Sequence, residues 1–250
     1  MFSRTLAAVL FVPALLIAQP AFEAEGRYWI PQMRSTLLVQ RNGFGTDIDA
    51  KQDLGMSDTN FPLGQVSFEY GRQRLQFSYT PIDFTGDNVV TRTIVFNGRQ
   101  YTLGTRIVSE LQAQHLQLNW SWEFLRFHEG LVKLGPMLEA DGFLLSGRLE
   151  APAFTPPVTQ NEDLSVGLPT AGLALEINPH RRVNIYGQVA GMKIGSYGYF
   201  IGSDAGVKIR AVRHVFFTAG YRTFNLHVNT SNDFSRMQLS GPFVGAGFRL

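Results

Sequence analysis

The chain contains no cysteine, which excludes a disulfide framework and every thiolate site. Charge is sparse: 17% of the 250 residues are charged, and the two signs nearly cancel at a formal net charge of +2. A pI near 9.0 on so balanced a chain signals no nucleic-acid partner. After the first 20 residues, no segment approaches the roughly 18 to 20 consecutive apolar residues that a spanning helix needs, so a helical membrane protein is excluded. A membrane β-barrel is not, because its lipid-facing residues are diluted one for one by polar lumen residues. The mean hydropathy of −0.03 fits such dilution. Length alone decides little, since 250 residues hold one large all-β domain or two ordinary ones.

What the chain does have begins with "MFSRTLAAVLFVPALLIAQPAFEAEG". Arg4 precedes an apolar stretch from Leu6 to Ala18, and small residues follow at Ala18 and Ala21. This reads as a secretory signal peptide over residues 1–21, cut after Ala18 or Ala21. Residues 22–250 then form a single domain. Removal of Arg4 leaves 21 basic against 20 acidic side chains.

The stretch "LQLNWSWEF", Leu116 to Phe124, is apolar at every second residue, with Gln, Asn, Ser and Glu between. A period of two marks a β-strand whose faces meet different media. Such segments recur along the chain, separated by short basic connections (71–74, 126–130, 178–182, 212–214) and by longer polar ones (41–62, 96–99, 151–163, 195–203, 228–235). Short and long alternate strictly, as in an up-and-down barrel with tight periplasmic turns and long outer loops. Ten antiparallel strands are expected, at about 27–40, 63–71, 74–95, 100–125, 131–150, 167–177, 183–195, 203–211, 214–228 and 236–250, with eight as the alternative. An even number puts both termini at one end. The alternation slips near His115, and the segments on either side of Asn97-Gly98, a strong type I′ hairpin signal, overshoot the bilayer. A β-ribbon projecting outside the cell is predicted there.

Facing lipid are expected Val66, Phe68, Tyr70, Leu75, Phe77, Tyr79, Leu116, Leu118, Trp120, Trp122, Phe124, Leu134, Leu138, Leu173, Leu175, Ile177, Val183, Ile185, Val207, Ile209, Phe217 and Tyr221. Facing inward are Gln65, Ser67, Gln76, Ser78, Gln117, Asn119, Ser121 and Gln188, together with six acidic residues, Glu69, Glu123, Glu139, Asp141, Glu176 and Asp204. Against these stand Arg34, Lys133, Lys208, Arg210, Arg222 and Arg249. That interior is too polar for the core of a water-soluble sandwich, where one unpaired buried charge costs several kcal/mol. Near balance of the two signs favours paired charges filling a narrow lumen over a field that selects ions.

The final strand, "GPFVGAGFRL", places Val244, Ala246, Phe248 and Leu250 on one face and ends the chain. In this it resembles the outer-membrane β-barrels of Gram-negative bacteria, whose last strand carries an alternating hydrophobic signal. Most of that family end in Phe or Trp; Leu250 departs from the pattern, while Phe248 keeps the phase. The resemblance implies outer-membrane residence, a lipid and lipopolysaccharide environment, assembly by the insertion machinery and a monomeric barrel.

Chemistry is weakly signalled. His128, His180 and His214 lie in short turns, where a solvated basic turn is the simpler reading, and His115 sits near the outer rim. His227, with Ser231 and Asp233 after it, invites comparison with lipid A deacylases, which pair a His and a Ser two positions apart; the chain has no such pair. Asp83, Asp87, His227 and Asp233 could be drawn into the Asp pair and Asp-His pair of omptin proteases, but no local motif matches. Asp47, Asp49 and Asp53 are spaced faintly like a calcium loop, yet Lys51 stands where a ligand is wanted. The triplet at Asn229 means little in a bacterial barrel. No catalytic, metal-binding or cofactor-binding residue is assigned, and no cofactor is expected. The expectation is a non-enzymatic barrel, envelope-structural or ligand-binding. The alternatives are a narrow channel for small or hydrophobic solutes, loosely similar to the outer-membrane protein W family, and an outer-membrane hydrolase.

Overall fold

The computed structural model describes residues 20–39, 46–96, 99–152, 158–195, 198–229 and 233–250. Ten antiparallel strands follow one another round a ring: β1 (Ala21–Trp29, continued by Gln32–Val39), β2 (Phe61–Tyr70), β3 (Gln73–Val89), β4 (Arg106–Trp122), β5 (Val132–Ala151), β6 (Val158–His180), β7 (Val183–Ile194), β8 (Gly198–Arg210), β9 (Val215–Asn229) and β10 (Asp233–Arg249). Gly26 of β1 lies opposite Gly64 of β2 on one side and Ala246 of β10 on the other, so the sheet closes and has no free edge at this level. The start of β1 and the C-terminal Leu250 lie together at one end of the barrel, where Phe22 and Leu250 exchange backbone hydrogen bonds, and the connections β1–β2, β3–β4 and β5–β6 lie at the other.

Ten strands and the lipid-facing assignments agree with the sequence reading, but several boundaries do not. β1 starts at Ala21 instead of residue 27. β6, β8 and β10 start at Val158, Gly198 and Asp233, inside segments expected to be loops. Strict alternation of short and long connections therefore holds only in the first half of the chain. The second half spends those residues on longer strands.

The expected slip of alternation at His115 is absent. Odd-numbered residues of β4 face inward from Asn119 to Ile107 without a break. What changes at His115 is chemistry. On the terminal side, outward residues are apolar (Leu116, Leu118, Trp120, Trp122) and inward ones polar (Asn119, Gln117, His115). Beyond it, outward residues are polar (Gln114, Gln112, Glu110) and inward ones apolar or small (Ala113, Leu111, Ser109, Ile107). The same inversion occurs on β3, where the inward series Gln76, Ser78, Thr80 gives way to Ile82 and Phe84, and on β5, where Glu139 and Asp141 give way to Phe143. On β9, Arg222 gives way to Phe224. Thr80 lies opposite His115, and His115 opposite Phe143, so the change runs across neighbouring strands in register.

Two media explain the pattern. Hydrocarbon around the terminal-side part of the barrel demands an apolar exterior and tolerates a polar lumen. Water around the remainder demands the reverse, an apolar core inside polar walls. Tyr28, Tyr79 and Tyr221, all facing outward, lie within one residue of the inversion, the place where amphipathic aromatics suit a membrane interface. Tyr70, Trp122, Phe124 and Phe127 mark the opposite boundary near the terminal-end turns.

Barrel closure is incomplete above the inversion. β2 begins only at Phe61 and pairs with β3 from Gly64–Tyr79 onward, which leaves the edges of Gln32–Val39 and of Thr80–Val89 facing each other across a gap. The chain before β2 fills it. Ile48, Ala50, Leu54 and Met56 are buried in the barrel mouth, and Ile48–Asp49 pairs with Thr36–Leu37. Gly86 faces inward, and any side chain on it would collide with the Leu54 carbonyl. The predicted projecting ribbon is instead folded over the mouth: Ile94–Phe96 pairs with Arg99–Tyr101, and Ile94 and Tyr101 are fully buried in the same core. Asn97 and Gly98 themselves lie outside the described residues.

The inversion predicts unequal effects of one substitution on one face of one strand. Leu118→Arg, near mid-membrane, is expected to cost about 2–4 kcal/mol, whereas Gln112→Arg, beyond the inversion, is expected to cost under about 0.5 kcal/mol. Urea titration of the vesicle-reconstituted barrel, followed by its heat-modifiable gel mobility, measures both.

Candidate functional site

The polar part of the lumen is built from alternate residues of nearly every strand. Nearest the terminal end, Arg74 Nη1 donates to Glu176 Oε1 at 2.7 Å and lies 3.6 Å from Glu69, while its Nη2 lies 3.6 Å from Glu23. Lys133 Nζ bridges Glu123 at 2.8 Å and Glu176 at 3.4 Å, and Arg249 reaches Glu69 at 2.5 Å and Glu23 at 3.5 Å. Lys208 is paired with Glu23 and, at 3.1 Å, with Glu25.

One level deeper, Arg27 is fully enclosed. Its Nε donates to Glu25 at 2.6 Å, its Nη1 donates to Asp204 at 2.9 Å, and its guanidinium lies 4.5 Å over the Phe243 ring. Gly245 opposite leaves the room this side chain needs, since a Cβ there would press on Arg27. At the inversion, His115 Nε2 lies 2.8 Å from Asp141, while Arg222 Nη2 donates to His115 Nδ1 at 3.4 Å. With Nδ1 accepting, Nε2 is the nitrogen that donates to Asp141. Asn119 donates to Glu139 at 3.1 Å, and Ser78 to Gln117 at 2.9 Å.

Above this layer the lumen is packed with rings. Phe143 stacks on His115 with centroids 4.4 Å apart and an interplanar angle of 1°, and Phe200 and Phe224 pack against Phe143 at 5.7 and 6.0 Å. Trp29 bridges Phe61 and Phe224, each at 6.2 Å. The cap lies over them, latched by polar contacts: Arg92 donates to both carboxylate oxygens of Asp53 at 3.0 and 2.6 Å, and Asn88 donates to the Gln52 and Asp53 carbonyls at 2.9 and 3.2 Å. Burial pushes the Asp53 carboxyl up. Hydrogen bonds from Arg92 and from the Asp49 N–H outweigh it and hold that carboxyl below the ordinary carboxylate range.

The inward charges expected from sequence are thus largely brought together, as ion pairs rather than as a field of one sign. Two of them depart: Arg210 is exposed at the terminal end of β8, and Arg34 is exposed on the outer face of β1, because it lies beyond the inversion, where polar residues point outward. Four central members were missed. Glu23 and Glu25 fall before the first expected strand, and Arg27 and Arg74 are only the first residues of expected strands, although "FEAEGRYW" already alternates apolar or small with charged.

The other candidates are not assembled. Asp83 faces outward on β3, Asp87 is paired with Arg106 at 2.5 Å, and His227 stacks on Tyr199 at 5.2 Å, on β9, four strands away round the ring. Asp233 opens β10 opposite Val39, and Ser231 lies outside the described residues. In the acidic loop, Asp49 accepts from the N–H groups of Lys51 and Gln52, a local turn, while Asp53 is held by Arg92. No group of three His, Asp or Glu placed for a metal occurs among the described residues.

No family model and no curated protein matches the sequence. Solved structures do match in fold. The outer membrane protease OmpT of Escherichia coli superposes with a TM-score of 0.56 at 7% identity, covering 92% of this chain and 97% of that one. The attachment invasion locus protein Ail of Yersinia pestis, solved with the heparin analogue sucrose octasulfate, gives 0.39 at 12% identity over 93% and 99%. The toluene transporter TodX of Pseudomonas putida gives 0.36 at 8% over 92% and 89%. With its closed ten-stranded wall and apolar girdle, the chain has the fold of the Gram-negative outer-membrane β-barrels.

Arg27 supplies the sharpest test of the network. Arg27→Gln leaves Glu25 and Asp204 buried and undercompensated, and is expected to cost about 3–5 kcal/mol. Arg148→Gln, which removes an exposed pair with Glu150, is expected to cost under about 1 kcal/mol. Equilibrium unfolding in detergent micelles compares them.

Proposed function

We propose that this chain is a non-conducting, non-enzymatic outer-membrane protein whose outer part serves as a rigid external platform, binding a ligand or reinforcing the envelope. The observation that carries this reading is the double filling of the lumen. Ion pairs occupy the membrane-embedded part, and a ring of aromatic side chains under a latched cap occupies the rest. A conduit needs a continuous polar path, and the Trp29–Phe224–Phe143–Phe200 cluster lies across it.

The terminal end faces the periplasm in this reading. The walls beyond the inversion then stand clear of the lipid, held by a core of the kind found in water-soluble barrels. Such a core makes the exposed walls and cap stiff, and stiffness lowers the entropic cost of binding a partner. The surroundings are lipid and lipopolysaccharide, assembly uses the outer-membrane insertion machinery, and the barrel acts as a monomer. Export uses the N-terminal signal peptide. Cleavage after Ala18 suits the strand better than cleavage after Ala21, because Ala21 itself pairs with Glu69 in β1.

Planar-bilayer recording of purified protein tests the reading. The expected record shows no steady open-channel current. Sustained unitary conductance from the intact chain would overturn the plugged lumen and favour the channel alternative.

A further inference from the structure

The periplasmic end of the lumen widens into a vestibule of about 280 Å³. Its floor is the ion-pair network, in which every carboxylate is already matched: Glu176 by Arg74 and Lys133, Glu69 by Arg249, and Glu23 by Lys208 and Arg249. Its rim is different. Arg181 and Arg182, from the tight turn between β6 and β7, and Arg210, at the end of β8, line the same vestibule with His180. All three arginines are exposed, and none makes an ion pair among the described residues. The floor neutralises itself, so the rim leaves an uncompensated excess of positive charge at the mouth of a concave, water-facing space.

We propose that this vestibule binds a phosphate-bearing anion presented from the periplasmic side. Guanidinium groups offer paired N–H donors that match phosphate oxygens two at a time, and three of them exceed what a single carboxylate would neutralise. The volume suits a phosphate ester or a diphosphate and is too small for a macromolecular surface. Because the lumen above is filled, the anion is held and not passed on. The phosphate belongs either to a free anion or to a lipid headgroup of the inner leaflet.

Titration calorimetry with inorganic pyrophosphate, on the full barrel in a non-ionic detergent and phosphate-free buffer, tests the proposal. The expected result is saturable one-to-one binding. Each of Arg181→Gln, Arg182→Gln and Arg210→Gln should weaken it by about tenfold, the loss of one charge-assisted contact. Arg213→Gln, an exposed turn arginine outside the vestibule, should leave it unchanged. All four side chains are exposed, and unaltered heat-modifiable mobility confirms that the variants fold. The source is separated in nanodiscs: suppression of pyrophosphate binding by phosphatidylglycerol but not by phosphatidylcholine identifies a headgroup as the occupant, and equal binding in both identifies a free anion. Absence of saturable binding, or an equal loss in Arg213→Gln, would overturn the proposal, the latter because it reports diffuse charge attraction.

Discussion

The structure depends on one constraint, the level at which the medium around the barrel changes from hydrocarbon to water. A strand that crosses it keeps its period of two, yet each of its faces must change character. On β4 the crossing falls between Leu116 and Gln114 outside and between His115 and Ala113 inside. Register then carries the level to Thr80 on β3 and Phe143 on β5. The ion-pair layer, the aromatic layer and the cap follow from it. Polar groups can fill a lumen wrapped in lipid, whereas the part wrapped in water must hold its walls together with buried apolar surface.

The ion-pair layer is not the main source of stability. Buried pairs roughly break even against desolvation, and their worth lies in what happens when one partner is missing. Arg27, Lys208 and Arg74 each touch at least two carboxylates, and the contacts Arg27–Asp204 and Lys208–Glu23 join β1 to β8 while Arg74–Glu176 joins β3 to β6, so the network helps fix which strand sits opposite which. Burial of Phe84, Phe143, Phe200, Phe224 and Phe243 supplies the driving force above it, on the order of 1.5–3 kcal/mol for each ring fully buried.

Much of the fold was legible in the sequence, because alternation, turn chemistry and a lack of long apolar runs are local signals. The lipid-facing residues from Val66 to Tyr221 were placed on the correct face, and the paired character of the lumen followed from its balance of charges. The inversion shows in the sequence as a break near His115 that reads equally as a slip of phase. A fixed rule that apolar means outward cannot distinguish a strand that shifts register from one that changes medium. That same rule misplaced Arg34. The cap was illegible for another reason: Ile48, Leu54, Met56, Ile94 and Tyr101 are spread over two loops, and only the early end of β2 creates the gap they fill. The vestibule arginines look like ordinary turn residues until the floor beneath them is seen to be neutral.

The absence of cysteine makes the change of medium along β4 measurable. Single cysteines placed along β4 and spin-labelled in vesicles report access to oxygen, which favours lipid, and to a polar nickel complex, which favours water. Lipid access is expected at Leu118 and Leu116, water access at Gln114, Gln112 and Glu110, and protection from both reagents at the inward positions Ala113 and Ser109. Water access at Ala113 and Ser109 would mean an open lumen. Lipid access continuing through Gln112 would mean no inversion. Either result would contradict a change of medium at His115 with a filled lumen beyond it.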